Sequence, residues 1–198
     1  MTSSLAGSRS RVVKFATGNL HKFKEAQAIL FDTGIQLEMI SSAKALEIQS
    51  DDLTEIAVAS LRDTHIRERG PLIVEDAGLF VESLNGFPGP YSAYVNRTLG
   101  CDGILRLLTG TKSRNAEFRS AIAYTDDDLR LKVKTFLGVV KGRIADEMRG
   151  QRGFGFDPIF IPTGYDMTFA EMGIEEKSQL SHRARALDAF ASWYLQDP

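Results

Sequence analysis

Two long runs, NAEFRSAIAYT (115–125) and LKVKTFLGVV (131–140), stand on either side of the polar turn DDD. In the first, Ala116, Phe118, Ser120, Ile122 and Tyr124 occupy every second position. Only an extended chain puts such residues on one face, so the two runs predict a long antiparallel hairpin and commit the chain to a sheet. Upstream, strand and helix patterns alternate. RVVKFA (11–16) predicts a short buried strand. A helix follows from Leu20, with Leu20, Phe23, Ala26 and Leu30 on one face and Gly34 as its stop. Gln36–Ile40 predicts a second strand. Asp52 and Glu55 form the pattern of a capping box, ahead of Leu53, Ile56, Ser60-Leu61 and Thr64 at helical spacing. Gly70-Pro71 ends that helix, and LIVE (72–75) is the next strand. Together these patterns predict an α/β fold with a mixed sheet.

After LIVE, LFVESL (79–84) extends again and NGFPGPYS (85–92) breaks it; a short helix is expected near 102–108. The loop RGQRGFGFDP leads into a short strand, IFI, then polar connections. The last helix starts near Ser181 and turns Leu187, Phe190, Ala191 and Tyr194 inward. With 198 residues, 43% of them apolar, the chain can bury one large core or two small lobes. A net charge of −2 gives no bulk attraction to nucleic acid or to an anionic membrane. No run reaches the length of a spanning helix, and MTSSLAGSRS reads as a flexible leader of residues 1–10. Cys101 is the single cysteine, which excludes an internal disulfide and makes a reducing, cytoplasmic setting the default.

Four stretches carry chemistry. FATGNLHK (15–22) joins a strand, a Gly18-Asn19 turn and a helix with Lys22 in its first turn. Exposed N–H groups, the helix dipole, Lys22 and the Thr17 hydroxyl suit a phosphate, although the P-loop pattern is absent. An ordinary strand–turn–helix capped by Thr17 or Asn19 is the alternative. In PLIVEDAGLF (71–80), Glu75 and Asp76 lie side by side at an expected strand end, with Glu47 at another in LEIQ (46–49). Carboxylates with phosphate oxygens suit Mg²⁺, and one of them can take a proton from water; a solvated acidic strand end is the alternative. RGFGFDPIF (152–160) offers Phe154 and Phe156 as flat faces for a base, or as core plugs, and Asp157 before Pro158 as a turn residue. In EEKSQLSHRARAL (175–187), Ser181 caps a helix whose first turn carries His182 and Arg183, donors for a keto oxygen or a solvated basic start. His21 and His65, without partner spacing, read as surface residues.

In order and wording these stretches are similar to one known family. F-A-T-G-N-x-x-K, E-D-x-G-L, L-N-G-x-P-G-x-Y-S, G-F-G-F-D-P-I-F and F-A-E-M…E-E-K-x-x-x-S-H-R-x-R-A-L resemble the inosine triphosphate pyrophosphatase family, from residue 11 to about 195. The resemblance implies an elongated mixed sheet flanked by helices, two lobes around a central cleft, and a homodimer. It implies Mg²⁺-dependent hydrolysis of the non-standard purine triphosphates ITP, dITP and XTP to monophosphate and pyrophosphate. By the same resemblance, Thr17, Gly18, Asn19, Leu20, His21 and Lys22 hold the triphosphate. Asp76 is the metal-linked general base and Glu47 the other metal-binding acid. Phe154, Gly155, Phe156 and Asp157 form the base-stacking and ribose-side loop, and Lys177, His182 and Arg183 contact the purine and its keto group. Ala77 stands where many relatives have Ser or Thr, leaving only a main-chain contact there, and Ser60 stands near a position where many have Lys.

Those roles imply attack of a water, placed by Asp76, on the α-phosphorus. They also imply a preference for 6-keto purines. Facing the adenine 6-amino group would leave buried donors unpaired at roughly 1–3 kcal/mol, about tenfold to a hundredfold. Two alternatives share the architecture: a pyrophosphatase acting on pyrimidine triphosphates, and a nucleotide-binding protein without catalysis. A nucleic-acid-binding module is disfavoured by the slight net acidity.

Overall fold

The computed structural model describes residues 12–40, 46, 48–126 and 132–196. In chain order its elements are β1 (Val12–Ala16), α1 (Leu20–Leu30), β2 (Gln36–Ile40), α2 (Leu53–Arg67), β3 (Leu72–Val81), β4 (Pro88–Gly89), α3 (Ser92–Thr98) and α4 (Gly100–Leu107). The second half supplies β5 (Asn115–Thr125), β6 (Lys134–Ile144), β7 (Phe160–Pro162), α5 (Ile174–Leu180) and α6 (His182–Gln196). The strands form one mixed sheet in the order β2-β1-β3-β5-β6-β7, with β4 beside β3. Strands joined through helices pair parallel, β1 with β2 and with β3. The predicted hairpin pairs β5 with β6 antiparallel, from Asn115 opposite Arg143 to Tyr124 opposite Lys134. The fold is therefore α/β with a mixed sheet, as expected. The leader and residues 127–131, which hold most of the DDD turn, lie outside the described residues.

Alternation sorts the sheet's side chains between two faces. On one face, Val13, Phe15, Ile73, Ile122 and Tyr124 pack against α1 and α6 through Ala26, Leu30, Leu187 and Phe190. Farther along that face, Leu79, Phe118 and Val140 pack with Ile104, Phe156, Phe160 and Phe169. On the other face, Leu72, Val74, Ala121 and Ala123 meet Leu53, Ala57 and Leu61 of α2. Each Val, Leu, Ile or Phe among these, fully buried, stabilises the fold by about 1.5–3 kcal/mol.

Several expectations are corrected. LIVE runs on through LFV as one unbroken strand, β3, while Glu82–Leu84 turn as a short 3-10 helix, so Glu75 and Asp76 lie at the strand's middle and not at its end. Leu20 is exposed, because the first turn of α1 projects past the end of β1; the buried stripe begins with the half-buried Phe23. His65 is buried at 3% exposure, one helical turn after Leu61 on the sheet-facing side of α2. Asp52 does cap α2 by accepting from Thr54 N, but Glu55 accepts from the Ser50 hydroxyl instead of completing a capping box. Helices α3 and α5 were not expected; α5 buries only Lys177, so it shows no apolar stripe.

Candidate active site

Along one edge of β3 the neighbouring strands leave a gap. β1 covers Leu72 to Val74, and β4 covers Leu79 and Phe80. Between them, among the described residues, Glu75–Gly78 have a strand partner only on the β5 side. The N-terminus of α1 faces this gap, because β1 ends at Ala16 and the chain turns at Thr17–Asn19. The Lys22 ammonium reaches across it and donates to the Glu75 main-chain oxygen at 3.3 Å. That carbonyl and the Leu79 N–H, which donates to Ser92 Oγ, both point away from β5. Ala77, midway between them, presents its own main-chain groups toward the same opening.

The phosphate cradle is less open than its sequence implies. Asn19 caps α1, its Oδ1 accepting from His21 N at 2.9 Å and Lys22 N at 3.3 Å. Asn19 N in turn donates to Thr17 Oγ1 at 3.1 Å. Three of the expected free N–H groups are thus already bonded within the turn. The Lys22 ammonium remains as a donor on the Glu75 side, and open space surrounds the position a Cβ would take at Gly18. Leu20 contributes an exposed side chain, so its place in the cradle is that of its main chain.

Adjacent residues of a strand point to opposite faces, and this answers how two carboxylates can stand side by side. By alternation Asp76 shares the α2 face with Val74, half-buried, while Glu75 enters the α1/α6 face with Ile73. The Glu75 carboxylate is 3.0 Å from Arg183 Nη2 and 3.1 Å from Lys22 Nζ, and it accepts from Ser120 Oγ at 2.8 Å. Burial works to raise its pKa, but Arg183 and Lys22 outweigh burial and hold it well below the usual carboxylate range.

Beyond Arg183 the buried charges continue. Glu25 pairs with Arg183 Nη1 through one oxygen and with Lys177 Nζ at 2.7 Å through the other. Lys177 also reaches Asp157 at 2.6 Å. The line Asp157–Lys177–Glu25–Arg183–Glu75–Lys22 alternates in sign over its whole length. Beside it, His182 stacks on Phe118 at 4.7 Å and 12°, at 4% exposure. Burial, reinforced by the Arg183 charge, pushes its pKa well below 6.5, so its ring is neutral. His182 Nδ1 and Arg183 Nε are buried and have no hydrogen-bond partner among the described residues.

The loop after β6 closes the other side. Phe154 is half-buried, 5.3 Å from the exposed ring of His21, with Lys177 Nζ 5.1 Å and Arg183 Cζ 5.6 Å from its centre. Asp157 is buried and accepts from Phe154 N at 2.8 Å; Gly153, at φ +74°, is the turn that lets the loop wrap this carboxylate. Gly155 also takes a positive φ, +64°. Phe156 is 2% exposed within the apolar cluster, so of the two phenylalanines only Phe154 offers a face. A cavity of about 540 Å³ lined by His21, Glu25, Phe154, Phe169 and Lys177 adjoins it, within the range of ligand pockets. A larger hollow of about 990 Å³ lies by Phe80 and Tyr91, but its Arg119 is already engaged by Glu117 and the Phe80 ring.

The structure thus brings together Lys22, Phe154, Asp157, Lys177, His182 and Arg183, with Thr17–Asn19 and Asp76 at the gap. Glu47 lies outside the described residues. Glu25 and Ser120 were missed. Ser120 had a signal, as the one small polar residue among Ala116, Phe118, Ile122 and Tyr124 on its face of β5, and Glu25 had one as an acid beside Ala26 in a buried stripe.

The sequence profile of the Ham1 family matches residues 13–193. The chain belongs to the Ham1 family. A Methanopyrus kandleri protein named dITP/XTP pyrophosphatase is 53% identical over 182 residues, 92% of this Ham1-family chain and 95% of the relative. A Saccharolobus solfataricus protein of the same name is 50% identical over 177 residues, 89% and 90% of the two chains. The structure of the Staphylococcus aureus Ham1 protein superposes with a TM-score of 0.80 at 30% identity, covering 94% of this chain and 100% of that one. The resemblance carried by the motifs is borne out. No described helix is long and apolar enough to cross a membrane.

Proposed function

We propose that this Ham1-family chain hydrolyses the purine nucleoside triphosphates dITP, ITP and XTP to monophosphate and pyrophosphate at the gap along β3. It is a nucleoside triphosphate pyrophosphatase, a hydrolase of acid anhydrides. The observation that carries this is two buried nitrogens without a hydrogen-bond partner among the described residues, His182 Nδ1 and Arg183 Nε, in the first turn of α6, with the Arg183 guanidinium carbon 5.6 Å from the centre of the Phe154 ring. Buried polar atoms are rarely left unsatisfied, so a ligand is the natural source of their partners. With the neutral His182 ring in its Nδ1–H tautomer, a 6-keto oxygen accepts from both, whereas a 6-amino group would meet donor with donor. Phe154 supplies the stacking face and Lys177 the charge beside it. At the other end, Lys22 and the Thr17–Asn19 turn stabilise the negative charge that develops on departing pyrophosphate.

Asp76 is the residue for the water. Its carboxylate, on the opposite face of β3 from Glu75, positions or deprotonates the nucleophile that attacks the α-phosphorus. As an oxygen donor beside a polyphosphate site it also fits a hard cation such as Mg²⁺, with Glu47 as its expected partner. When bound, the cation polarises a phosphoryl oxygen. Glu75 is not among the ligands in this scheme, because both its oxygens already face cations or the Ser120 hydroxyl. We take residues 11–198 as one two-lobed domain, working in the cytoplasm as a homodimer. Exposed Phe87, Tyr91, Tyr94 and Leu99 support a partner surface there, and sedimentation of the full chain tests it. The activity is tested with a panel of dITP, ITP, XTP, ATP, GTP, dTTP and UTP under Mg²⁺, following pyrophosphate. Release from the first three is expected; equal release from dTTP or UTP, or none at all, would sink the reading.

A further inference from the structure

We infer that Glu75 is a positioning residue that sets the purine end and the phosphate end of the site together; this rests on the proposed activity. Among the described residues it is the one acid in salt-bridge contact with both the helix start that carries His182 and the helix start that follows the phosphate turn. Arg183 Nη2 lies 3.0 Å from one of its oxygens and Lys22 Nζ 3.1 Å from the other. Ser120 Oγ, from the neighbouring strand, donates to the first oxygen at 2.8 Å. The carboxylate is 2% exposed, as is Arg183, so neither can turn toward water. Its main chain is held as well, because Lys22 also donates to the Glu75 carbonyl oxygen.

The consequence for each arm follows from counting donors. Glu75 engages Arg183 Nη2 and Glu25 engages Nη1, which fixes the guanidinium plane and leaves Nε as the one guanidinium nitrogen without a partner among the described residues. Lys22 has three N–H bonds; contacts to the Glu75 carboxylate and carbonyl leave it one to offer a phosphate. A ligand that draws on either cation therefore acts on the carboxylate that holds the other. Glu25 serves the purine end alone, through Lys177 and Arg183.

The test uses the full chain well below its melting temperature. Glu75→Gln keeps the side-chain shape and removes the charge, and Glu75→Asp keeps the charge and shortens the reach. Inorganic tripolyphosphate probes the phosphate end alone and inosine the purine end alone, both as inhibitors of pyrophosphate release from ITP. If Glu75 joins the ends, Glu75→Gln weakens both inhibitors and raises KM for ITP, each by roughly tenfold to a hundredfold. That is the range for a lost charge-assisted hydrogen bond. The ITP-to-ATP ratio of kcat/KM falls with them, and Glu75→Asp recovers part of every loss. If only one inhibitor weakens, or if stability drops while all kinetic values stay parental, the inference is overturned. Should Glu75→Gln not fold, Ser120→Ala, which loosens the same carboxylate without removing its charge, must shift both inhibitors in the same direction; parental values for either one reject the coupling. A parent chain that releases no pyrophosphate from ITP refutes the proposed activity instead, which separates the two failures.

Discussion

A carboxylate is costly to bury unless donors surround it, and Glu25 lies between two, Lys177 and Arg183. Such a pair adds little net stability over an apolar packing, yet removing one member strands the other charges. Glu25→Ala should therefore destabilise the fold by about 3–5 kcal/mol. Urea unfolding measures this, and a loss below about 1 kcal/mol would show that water reaches the cluster. Asp76 belongs to a different class of residue. Asp76→Asn should abolish turnover while nucleotide binding, followed by calorimetry, stays near the parental value. Turnover within about tenfold of the parent would remove it as base, since general-base catalysis supplies roughly a hundredfold or more. At this scale residue types were readable but roles were not. Glu75 could be seen as an acid, but the cations that claim it stand 53 and 108 residues away in the chain.

Helix α6 brings His182 and Arg183 to the sheet, and it can do so because β6 has no side chain at Gly138. A Cβ there would collide with the His182 carbonyl oxygen and come within 2.6 Å of Ala186 N. Gly138→Ala must push the first turn of α6 outward, taking Arg183 away from Glu75 and Glu25. The expected outcome is a folded but less stable chain whose kcat/KM for ITP drops at least about tenfold, as a roughly 1 Å displacement of positioned groups allows. Parental kinetics would mean that α6 adapts at no cost to the site. The elements with a periodic apolar face, α1, α2, β5 and α6, were legible in the sequence. Those that escaped had no such face: α5 buries one lysine, and α3 follows a loop of glycines and prolines.

For the whole molecule, the buried charges predict how the fold responds to acid. His182 has its pKa lowered by burial and by Arg183, so below about pH 6.5 the unfolded chain takes the proton first and stability falls. Glu75 has a depressed pKa, so its contribution is complete above the ordinary value of 4.5 and is lost only as pH falls far below it. Asp157, raised by burial, acts in the opposite sense near 3.8 and softens the decline. The melting temperature should thus be level from about pH 7 to 8 and begin to drop near pH 6.5. A His182→Phe variant that keeps the stacking should lose the early part of that drop; an unchanged curve would show that His182 is not the group responsible. From the sequence alone came the elements with a periodic apolar face, the mixed sheet and the motif blocks, because period, caps and turns are local properties of a chain. The tertiary structure alone decided that β3 runs unbroken, and so sends Glu75 and Asp76 to opposite faces. It alone decided that Arg183 meets Glu25 across 158 residues, because Coulomb attraction acts through space and buried partners are chosen by packing.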